Sequence, residues 1–294
     1  MNDIPRALPI ETIEVDTACL HCGYNLRGLR ADGLCPECGS PIGRSVLGNF
    51  LRYSDVTWLQ AVGKGTTVKL WVIGLSILLG AASGVAGTFG AAEALVLPAV
   101  IVSGLGLWGA WLITTQEPRM ALHEDPVTLR KAVRLCAVLA FFGGLVSNSQ
   151  FLVTDPAEQA ILLIVGSSLS LAGIVQLFGE LVYYRRFARR VPDDSLERST
   201  TAVLWGLPIS YAVLGLGGLV IAVLSVAGGG AVSSASGPVF AVGGGLVCLG
   251  GVAALAFGIW NIVLLFSYRR VFQMAAREAT HWQHAGNGNA VYLR

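Results

Sequence analysis

Four of the six cysteines in the chain form two close pairs near its N-terminus. Cys19 and Cys22 are the first pair and Cys35 and Cys38 the second, which gives the spacing C-x2-C-x12-C-x2-C. A C-x-x-C pair on a tight turn directs two thiolates at one centre, and a glycine follows each pair where the turn needs a backbone that side chains hinder. Two such turns complete a tetrahedral shell of four sulfur ligands with no position left for substrate. The spacing therefore predicts a structural metal site.

Zinc is the metal that this spacing favours, and two other states of the cysteines remain open. A four-thiolate shell also accepts iron, and both pairs are similar to the knuckles of rubredoxin. Rubredoxin separates its pairs more widely and surrounds its iron with aromatic side chains, which the twelve residues 23–34 cannot supply. The metal-free state is the other alternative. We expect His21, between the first two cysteines, to be exposed and not a ligand.

The rest of the chain has the composition of a membrane protein. Of 294 residues 54% are hydrophobic and 13% charged, with a mean hydropathy of +0.65, whereas soluble domains carry about 25% charged residues. Six apolar windows are as long as the roughly 20 residues that a helix needs to cross a bilayer. They are residues 68–90, 94–115, 132–153, 159–184, 201–227 and 239–268. The sequence predicts an all-α integral membrane protein with six transmembrane helices and a small N-terminal zinc ribbon.

The lysines and arginines predict which side of the membrane each connection occupies. The connections after the first, third and fifth windows contain none, whereas all 20 lie at the opposite ends of the windows or in the terminal segments. Because basic residues accumulate on the cytoplasmic side, we expect both termini on the cytoplasmic side of a plasma (inner) membrane. The first 22 residues also lack the basic start and apolar core of a secretory signal. The cysteines would then be in a reducing compartment, which disfavours disulfides.

These features divide the chain into five segments. In order they are a polar N-terminal segment, the zinc ribbon, a linker, the transmembrane domain and a cytoplasmic tail, at residues 1–17, 18–43, 44–67, 68–268 and 269–294. Within the linker, residues 54–62 can form a short interfacial helix that ends at Gly63.

Three nine-residue segments align without gaps and suggest internal repetition. Each begins with a residue that favours helix N-caps and precedes two apolar windows. The segments are residues 54–62, 125–133 and 195–203. We therefore expect three helical-hairpin repeats. The alternative is that any helix entering the membrane from the cytoplasm favours such residues at its start.

The residues around the cysteines follow a longer pattern, C-x2-C-G-Y-x-L-R-G-L and then C-P-x-C-G-x-P-I. It is matched by Cys19, Cys22, Gly23, Tyr24, Leu26, Arg27, Gly28, Leu29, Cys35, Pro36, Cys38, Gly39, Pro41 and Ile42. Over these roughly 25 residues the chain resembles the short zinc ribbons at the head of many uncharacterised bacterial multi-pass membrane proteins. The resemblance implies a zinc ribbon on a membrane body and carries no reaction. Independently, we expect Tyr24, Leu26 and Leu29 to cover the metal site, because so small a domain has little other core.

Common catalytic and cofactor motifs are absent from the sequence. It contains no G-x-S-x-G, no H-E-x-x-H and no G-x-G-x-x-G after a predicted strand. The apolar windows contain no histidine, which excludes a bis-histidine haem inside the membrane. His123, Glu124 and Asp125, with Glu117, could bind a metal, but Asp125 before a proline is typical of a helix start. We interpret His281 and His284 as an exposed tail.

Few polar residues interrupt the apolar windows. We expect Glu180 either to reach the cytoplasmic interface or to pair with Arg185 or Arg186, about one turn later. Asn148, Gln150, Gln176 and Asn261 are expected to form interhelical hydrogen bonds. Many of the 37 glycines lie within the windows, where small residues let helix backbones approach closely and can support self-association.

Three functions remain open at this stage. The first is a non-enzymatic membrane protein whose zinc ribbon binds a cytosolic partner or has a regulatory or scaffold role. The second is a transporter or channel, whose three hairpins would be similar to those of the mitochondrial carriers, although the proline–acid–basic signature of that family is absent. The third is a lipid-acting enzyme that uses His123, Glu124 or Asp125 at the interface. The expected partners are the lipid bilayer, a protein bound by the ribbon and a second copy of the chain, with nothing that points to nucleic acid.

Overall fold

The computed structural model describes residues 12–48, 50–89, 92–118, 127–191, 193–227 and 237–289. Its helices are α1 (Gly43–Leu47), α2 (Val56–Thr88), α3 (Val96–Ile113), α4 (Val127–Ser149), α5 (Pro156–Ser170), α6 (Ala172–Ala188), α7 (Asp194–Ala227) and α8 (Gly237–Asn289). Short 3-10 turns lie at Leu51–Tyr53, Ala92–Leu95 and Gln150–Leu152. In the described part of the chain, extended backbone pairing is limited to three isolated bridges before residue 42. The predicted helical fold class is confirmed.

Five helical stretches among the described residues are long and apolar enough to cross a membrane. They are Val56–Ala86, Glu93–Ile113, Val127–Leu152, Asp194–Gly218 and Ala241–Thr280. The fourth predicted window, residues 159–184, is instead divided between α5 and α6, which have 15 and 17 residues. At 1.5 Å per residue they span about 23 and 26 Å, less than the roughly 30 Å of hydrocarbon in a bilayer. The predicted count of six crossing helices is therefore not confirmed.

The break between α5 and α6 lies at Leu171, within the segment GSSLSLAG. The Ser168 hydroxyl donates a hydrogen bond to the carbonyl of Ile164 one turn earlier, and such back-bonding bends helices. Gly166 and Gly173 lower the helix propensity of the same segment. These local features oppose a continuous helix even though the composition of the window is apolar throughout.

The helices form three antiparallel hairpins that are arranged in a ring. α2 pairs with α3, α4 with α5 and α6, and α7 with α8, while each hairpin packs against the next and α8 returns to α2. The α5–α6 pair runs back along α4, because Gly166 lies against Ser147 and Gly179 lies against Val133. The first helix of each hairpin, α2, α4 or α7, begins within or next to one of the three aligned segments.

One end of this ring contains most of the buried side chains. We call it the basic end and define it by residues 51–64, 113–117, 130–134, 181–190, 194–204 and 264–277. At its centre the Phe187 ring meets three other rings edge to face, with centroids 5.4 to 6.2 Å apart: Trp58, Tyr184 and Phe272. Such aromatic pairs each contribute about 0.5–1.5 kcal/mol beyond the apolar area that they bury. The basic end is therefore the best-packed part of the molecule.

Away from the basic end, the outer faces of the helices carry large apolar side chains. Leu78 and Leu249 are 66% and 70% exposed, and many neighbours are similarly open. A continuous apolar surface of this kind is stable against lipid and unstable against water. Five exposed tryptophans lie close to the basic end, in the position that tryptophan favours at membrane–water boundaries. They are Trp71, Trp108, Trp111, Trp205 and Trp260.

The first and last helices are longer than the windows predicted for them. The side chain of Asp55 accepts a hydrogen bond from the Trp58 backbone N–H and caps the start of α2. The helix then passes through Gly63 without a stop, so residues 56–62 are its first turns and not a separate interfacial helix. At the other terminus α8 continues beyond Tyr268, which makes residues 269–289 of the predicted tail helical. Phe272 of this extension is buried against the basic end.

Close packing within the α7–α8 hairpin depends on Gly250. A Cβ atom at this position would lie 2.6 Å from the backbone nitrogen of Leu214 and 2.8 Å from its Cα, so the helices would have to separate. We expect Gly250→Ala to destabilise the protein by about 1–3 kcal/mol, although alanine has the higher helix propensity. Reversible unfolding in mixed detergent micelles would measure this.

Gly245→Ala is the matched control, because a Cβ atom at Gly245 has no neighbour within 4 Å. It should leave the free energy of unfolding unchanged or raise it slightly. Equal effects of the two substitutions would contradict the close contact at Leu214.

Candidate functional site

The two cysteine pairs lie on turns with the same backbone geometry. The Gly23 N–H donates to the carbonyl of Cys19 at 2.8 Å, and the Gly39 N–H donates to the carbonyl of Cys35 at 2.9 Å. Both glycines have a positive φ, 78° and 66°, which other residues adopt only at an energetic cost. An isolated antiparallel bridge closes each turn, Ala18 to Asn25 and Leu34 to Pro41. The spacing thus predicted correctly why a glycine follows each pair.

All four thiols converge on one point. Their Sγ atoms lie within 4.8 Å of one another, with 3.7 Å between Cys19 and Cys38 and 3.6 Å between Cys22 and Cys35. A tetrahedral ion with metal–sulfur bonds of about 2.3 Å would separate its ligands by about 3.8 Å. A disulfide would need about 2.05 Å, and none is present among the described cysteines. The arrangement is compatible with a four-thiolate metal site.

The thiol cluster packs against aliphatic side chains of a small core. Leu26 and Ile42 are buried, with 0% and 2% exposure, and Leu29 packs beside them. Tyr24 is 40% exposed and is not part of this core. Ile13 belongs to this core although it lies in the segment predicted to be polar, and its N–H donates to the carbonyl of Leu29. We therefore define the N-terminal module as residues 12–42.

The thiols influence one another's ionisation. Burial disfavours the Cys38 thiolate, but hydrogen bonds from the Ser40 side chain and backbone outweigh it and lower the pKa of Cys38 to about 7. A backbone hydrogen bond at Tyr24 favours the Cys22 thiolate, but desolvation and the three neighbouring thiols raise the pKa of Cys22 to about 12. Without a cation, the cluster thus favours a negative charge at Cys38 and opposes one at Cys22. A divalent cation would stabilise all four thiolates together.

His21 is exposed, as predicted, and is not part of the thiol cluster.

The N-terminal module contacts the helices through α1 and Tyr53. The Ser45 hydroxyl of α1 accepts a hydrogen bond from the Leu20 N–H. Tyr53 is buried against Gly43, where a Cβ atom would lie 2.8 Å from the phenol oxygen. The module is therefore attached directly to the basic end.

Arg190 joins three connections at the basic end. Its guanidinium donates to the Glu117 carboxylate at 2.8 Å and to the Ser54 hydroxyl at 2.7 Å. Its carbonyl accepts a hydrogen bond from the Leu51 N–H. The Trp58 indole packs under the guanidinium, 5.7 Å from its centre. Glu117, a candidate metal ligand from the sequence, is thus an ion-pair partner, while His123, Glu124 and Asp125 lie outside the described residues.

An ion pair lies inside the helical bundle. The Lys69 ammonium of α2 is 2.7 Å from the Glu180 carboxylate of α6, and these side chains are 15% and 5% exposed. Gln176 donates to the same carboxylate at 2.7 Å. The expectation that Glu180 pairs with Arg185 is wrong, since Arg185 faces Glu197 on α7 at 4.0 Å. Lys69 is a charged residue just inside the first apolar window. A charge at this position indicates a buried partner of opposite charge, so the sequence contained a signal for this ion pair.

Hydroxyl groups extend the polar contacts from α6 to neighbouring helices. The Tyr268 hydroxyl donates to the carbonyl of Tyr184 at 2.7 Å and lies 2.7 Å from the Thr200 hydroxyl. The Tyr184 hydroxyl lies 3.1 Å from that of Thr66. No catalytic motif marks these residues, and only the packing of α2, α6, α7 and α8 brings them together.

Two of the four amides expected to bridge helices bond within their own helices instead. Asn148 donates to the carbonyl of Gly144 in its own helix at 2.7 Å, and Gln176 also bonds within α6. Asn261 is buried, and its Oδ1 atom has no hydrogen-bond partner among the described residues. Side-chain contacts of His281 and His284 lie outside what the structure describes.

No protein-family model matches the chain, and neither a curated protein nor a solved structure is similar to it. Any function proposed for this chain therefore rests on the geometry of its own residues. Two features stand out on this basis, the four-thiol centre of the N-terminal module and the ion pair inside the helical bundle.

Proposed function

We propose that this chain is a bacterial inner-membrane protein without enzymatic activity, in which a cytosolic zinc ribbon binds a partner or regulates the membrane domain. The observation that carries the proposal is the convergence of four thiols at distances that suit a tetrahedral ion. Four protein ligands close the shell, so the metal would stabilise the fold and would not activate water or substrate.

Zinc is the metal we propose, and iron is the alternative. Leu26, Ile42 and Ile13 supply an aliphatic cover, while the one aromatic residue between the cysteine pairs, Tyr24, is exposed. An aromatic enclosure of the rubredoxin kind is therefore missing from this module. The resemblance to the ribbons of uncharacterised bacterial membrane proteins supports the same choice.

The proposed topology places the basic end and both termini in the cytoplasm. The positive-inside rule supports this orientation, while the exposed tryptophans near the basic end support a membrane–water interface there. The fourth of the six proposed crossings would be made by α5 and α6 together. In this topology the thiols are in a reducing compartment, where they are available to a metal ion.

The surface formed by the module and α1 offers apolar contacts for a partner. Leu20 and Val46 are 56% and 42% exposed, and they are neighbours because the Leu20 N–H bonds to Ser45. Exposed apolar side chains on a metal-supported surface are typical of protein-binding sites. A cytosolic protein is therefore the partner that we propose for the ribbon.

Cross-linking in cells tests this role. We expect the full chain to capture a set of cytosolic proteins that Cys35→Ser loses, because the binding surface unfolds without its metal. Cys248→Ser is the matched control, since Cys248 is an exposed cysteine on α8. It should capture the same set as the wild-type chain. Identical sets from the Cys35→Ser variant and the wild type would contradict the proposal.

A transporter or channel is the second candidate, and one observation favours it. Ionisable residues inside membrane domains often mark paths for ions or substrates, and Lys69 and Glu180 form such a pair. The buried Asn261 oxygen without a partner among the described residues is a second polar group in the bundle. A lipid-acting enzyme remains the third candidate, which depends on residues 123–125.

A further inference from the structure

A groove of about 630 Å³ lies between the start of α2 and the extension of α8. Gly63 and Phe272 form part of its floor, where the two helices are in contact. Lys64 and Arg277 line the part nearest the helix extension, whereas Trp71 and Trp108 line the part nearest the apolar windows. The groove thus changes from basic to aromatic along its length.

The two cations in the groove are available for a ligand. Lys64 and Arg277 are exposed, and within the described chain neither has an ion-pair partner. Among the described residues that line the groove, none has an acidic side chain. Arg189 and Arg190 of the basic end, by contrast, are paired with the carboxylates of Glu197 and Glu117. An anion is therefore the ligand that complements this part of the groove.

The other part of the groove is suited to lipid. Trp71 and Trp108 are 66% and 53% exposed, and Val68 lies between them and Lys64 along the groove. Tryptophan favours the depth of lipid headgroups, and residue 68 is where the first apolar window begins. The cations therefore lie on the water side of the membrane boundary and the indoles on the lipid side.

We propose that this groove binds one anionic glycerophospholipid, with its phosphate between Lys64 and Arg277 and an acyl chain along Trp71 and Trp108. Both cations can donate charge-assisted hydrogen bonds to a phosphate, and the arginine can do so with two N–H groups. A free phosphate ion would contact the cations but not the indole rings. A phospholipid would contact both the basic part and the aromatic part of the groove. This inference is independent of the metal and of the proposed role of the ribbon.

Native mass spectrometry of the full chain in neutral detergent tests the proposal, with dioleoyl phosphatidylglycerol as the probe. We expect one lipid to bind with higher affinity than phosphatidylcholine. Lys64→Gln and Arg277→Gln should each weaken phosphatidylglycerol binding about fivefold, the effect of one cation near an anionic headgroup. Arg270→Gln is the matched control, because Arg270 is an exposed arginine of α8 outside the groove.

Two results would overturn the proposal. One is unchanged phosphatidylglycerol affinity in the Lys64→Gln/Arg277→Gln double variant. The other is full displacement of the lipid by millimolar inorganic phosphate, which would assign the cations to a soluble anion. Thermal unfolding in the same detergent checks that the variants remain folded, and Trp108→Ala provides a second variant that should weaken the lipid but leave the cations in place.

Discussion

Replacing Cys35 with serine is expected to release the metal ion and unfold residues 12–42 while the helices remain in the membrane. The module has a core of only a few aliphatic side chains around its thiols. In domains of this size, metal binding supplies most of the folding free energy, about 10–16 kcal/mol in zinc-finger peptides. The bundle has its own aromatic core at the basic end and does not depend on the metal.

Elemental analysis and hydrogen exchange measure the two parts of this prediction. The wild-type chain should carry one zinc per molecule, and backbone amides such as those of Leu26 and Ile42 should be protected. The Cys35→Ser variant should lose both the metal and the protection, with α2 and α7 unchanged. Cys136→Ser removes a cysteine outside the cluster and should retain both. Protection of the module in metal-free protein would refute the prediction.

Neutralising one member of the Lys69–Glu180 pair should destabilise the protein far more than neutralising both. Lys69→Met leaves the Glu180 carboxylate buried without its cation, at an expected cost of about 3–5 kcal/mol. Glu180→Gln should destabilise the protein by a similar amount, because it leaves the Lys69 ammonium buried without an anionic partner. The double variant Lys69→Met/Glu180→Gln removes both charges and should recover most of the lost stability.

A double-mutant cycle of unfolding free energies measures this coupling. Lys64→Gln, one turn earlier on α2, is the control because Lys64 is exposed, and it should change stability by less than about 0.5 kcal/mol. Additive effects of the two single substitutions would show that the charges do not interact. If the folded double variant also lost its function in cells, the transporter candidate would gain support over the scaffold.

The basic end connects the proposed metal module to this ion pair. Tyr53 packs against the module at Gly43, and Leu51, two residues earlier, bonds to the carbonyl of Arg190. Arg190 directly follows the helix α6 that carries Glu180. A partner bound to the module would therefore act on the end of α6. These contacts connect the ribbon to α6, which supports a regulatory role of the ribbon.

Several local features could be predicted because they depend on neighbouring residues. The positive φ of Gly23 and Gly39 follows from the C-x-x-C-G turns, and the convergence of the thiols follows from their spacing. The helices follow from long apolar stretches in which backbone groups must bond within the segment. The break at Leu171 was missed, since an average over an apolar window conceals a run of serine and glycine.

Hydropathy and turn chemistry are enough to predict the helical character of the chain, its apolar exterior and the convergence of four cysteines. Three contacts depend instead on tertiary packing: Lys69 pairs with Glu180, Glu117 pairs with Arg190, and Ile13 joins the core of the module. The paired residues are separated by 111 and 73 positions along the chain, and Ile13 lies 29 positions before Ile42, another residue of that core. The physical reason is that hydropathy and turn chemistry act along the chain, whereas the partner of a buried charge depends on which helices pack together and how each is rotated.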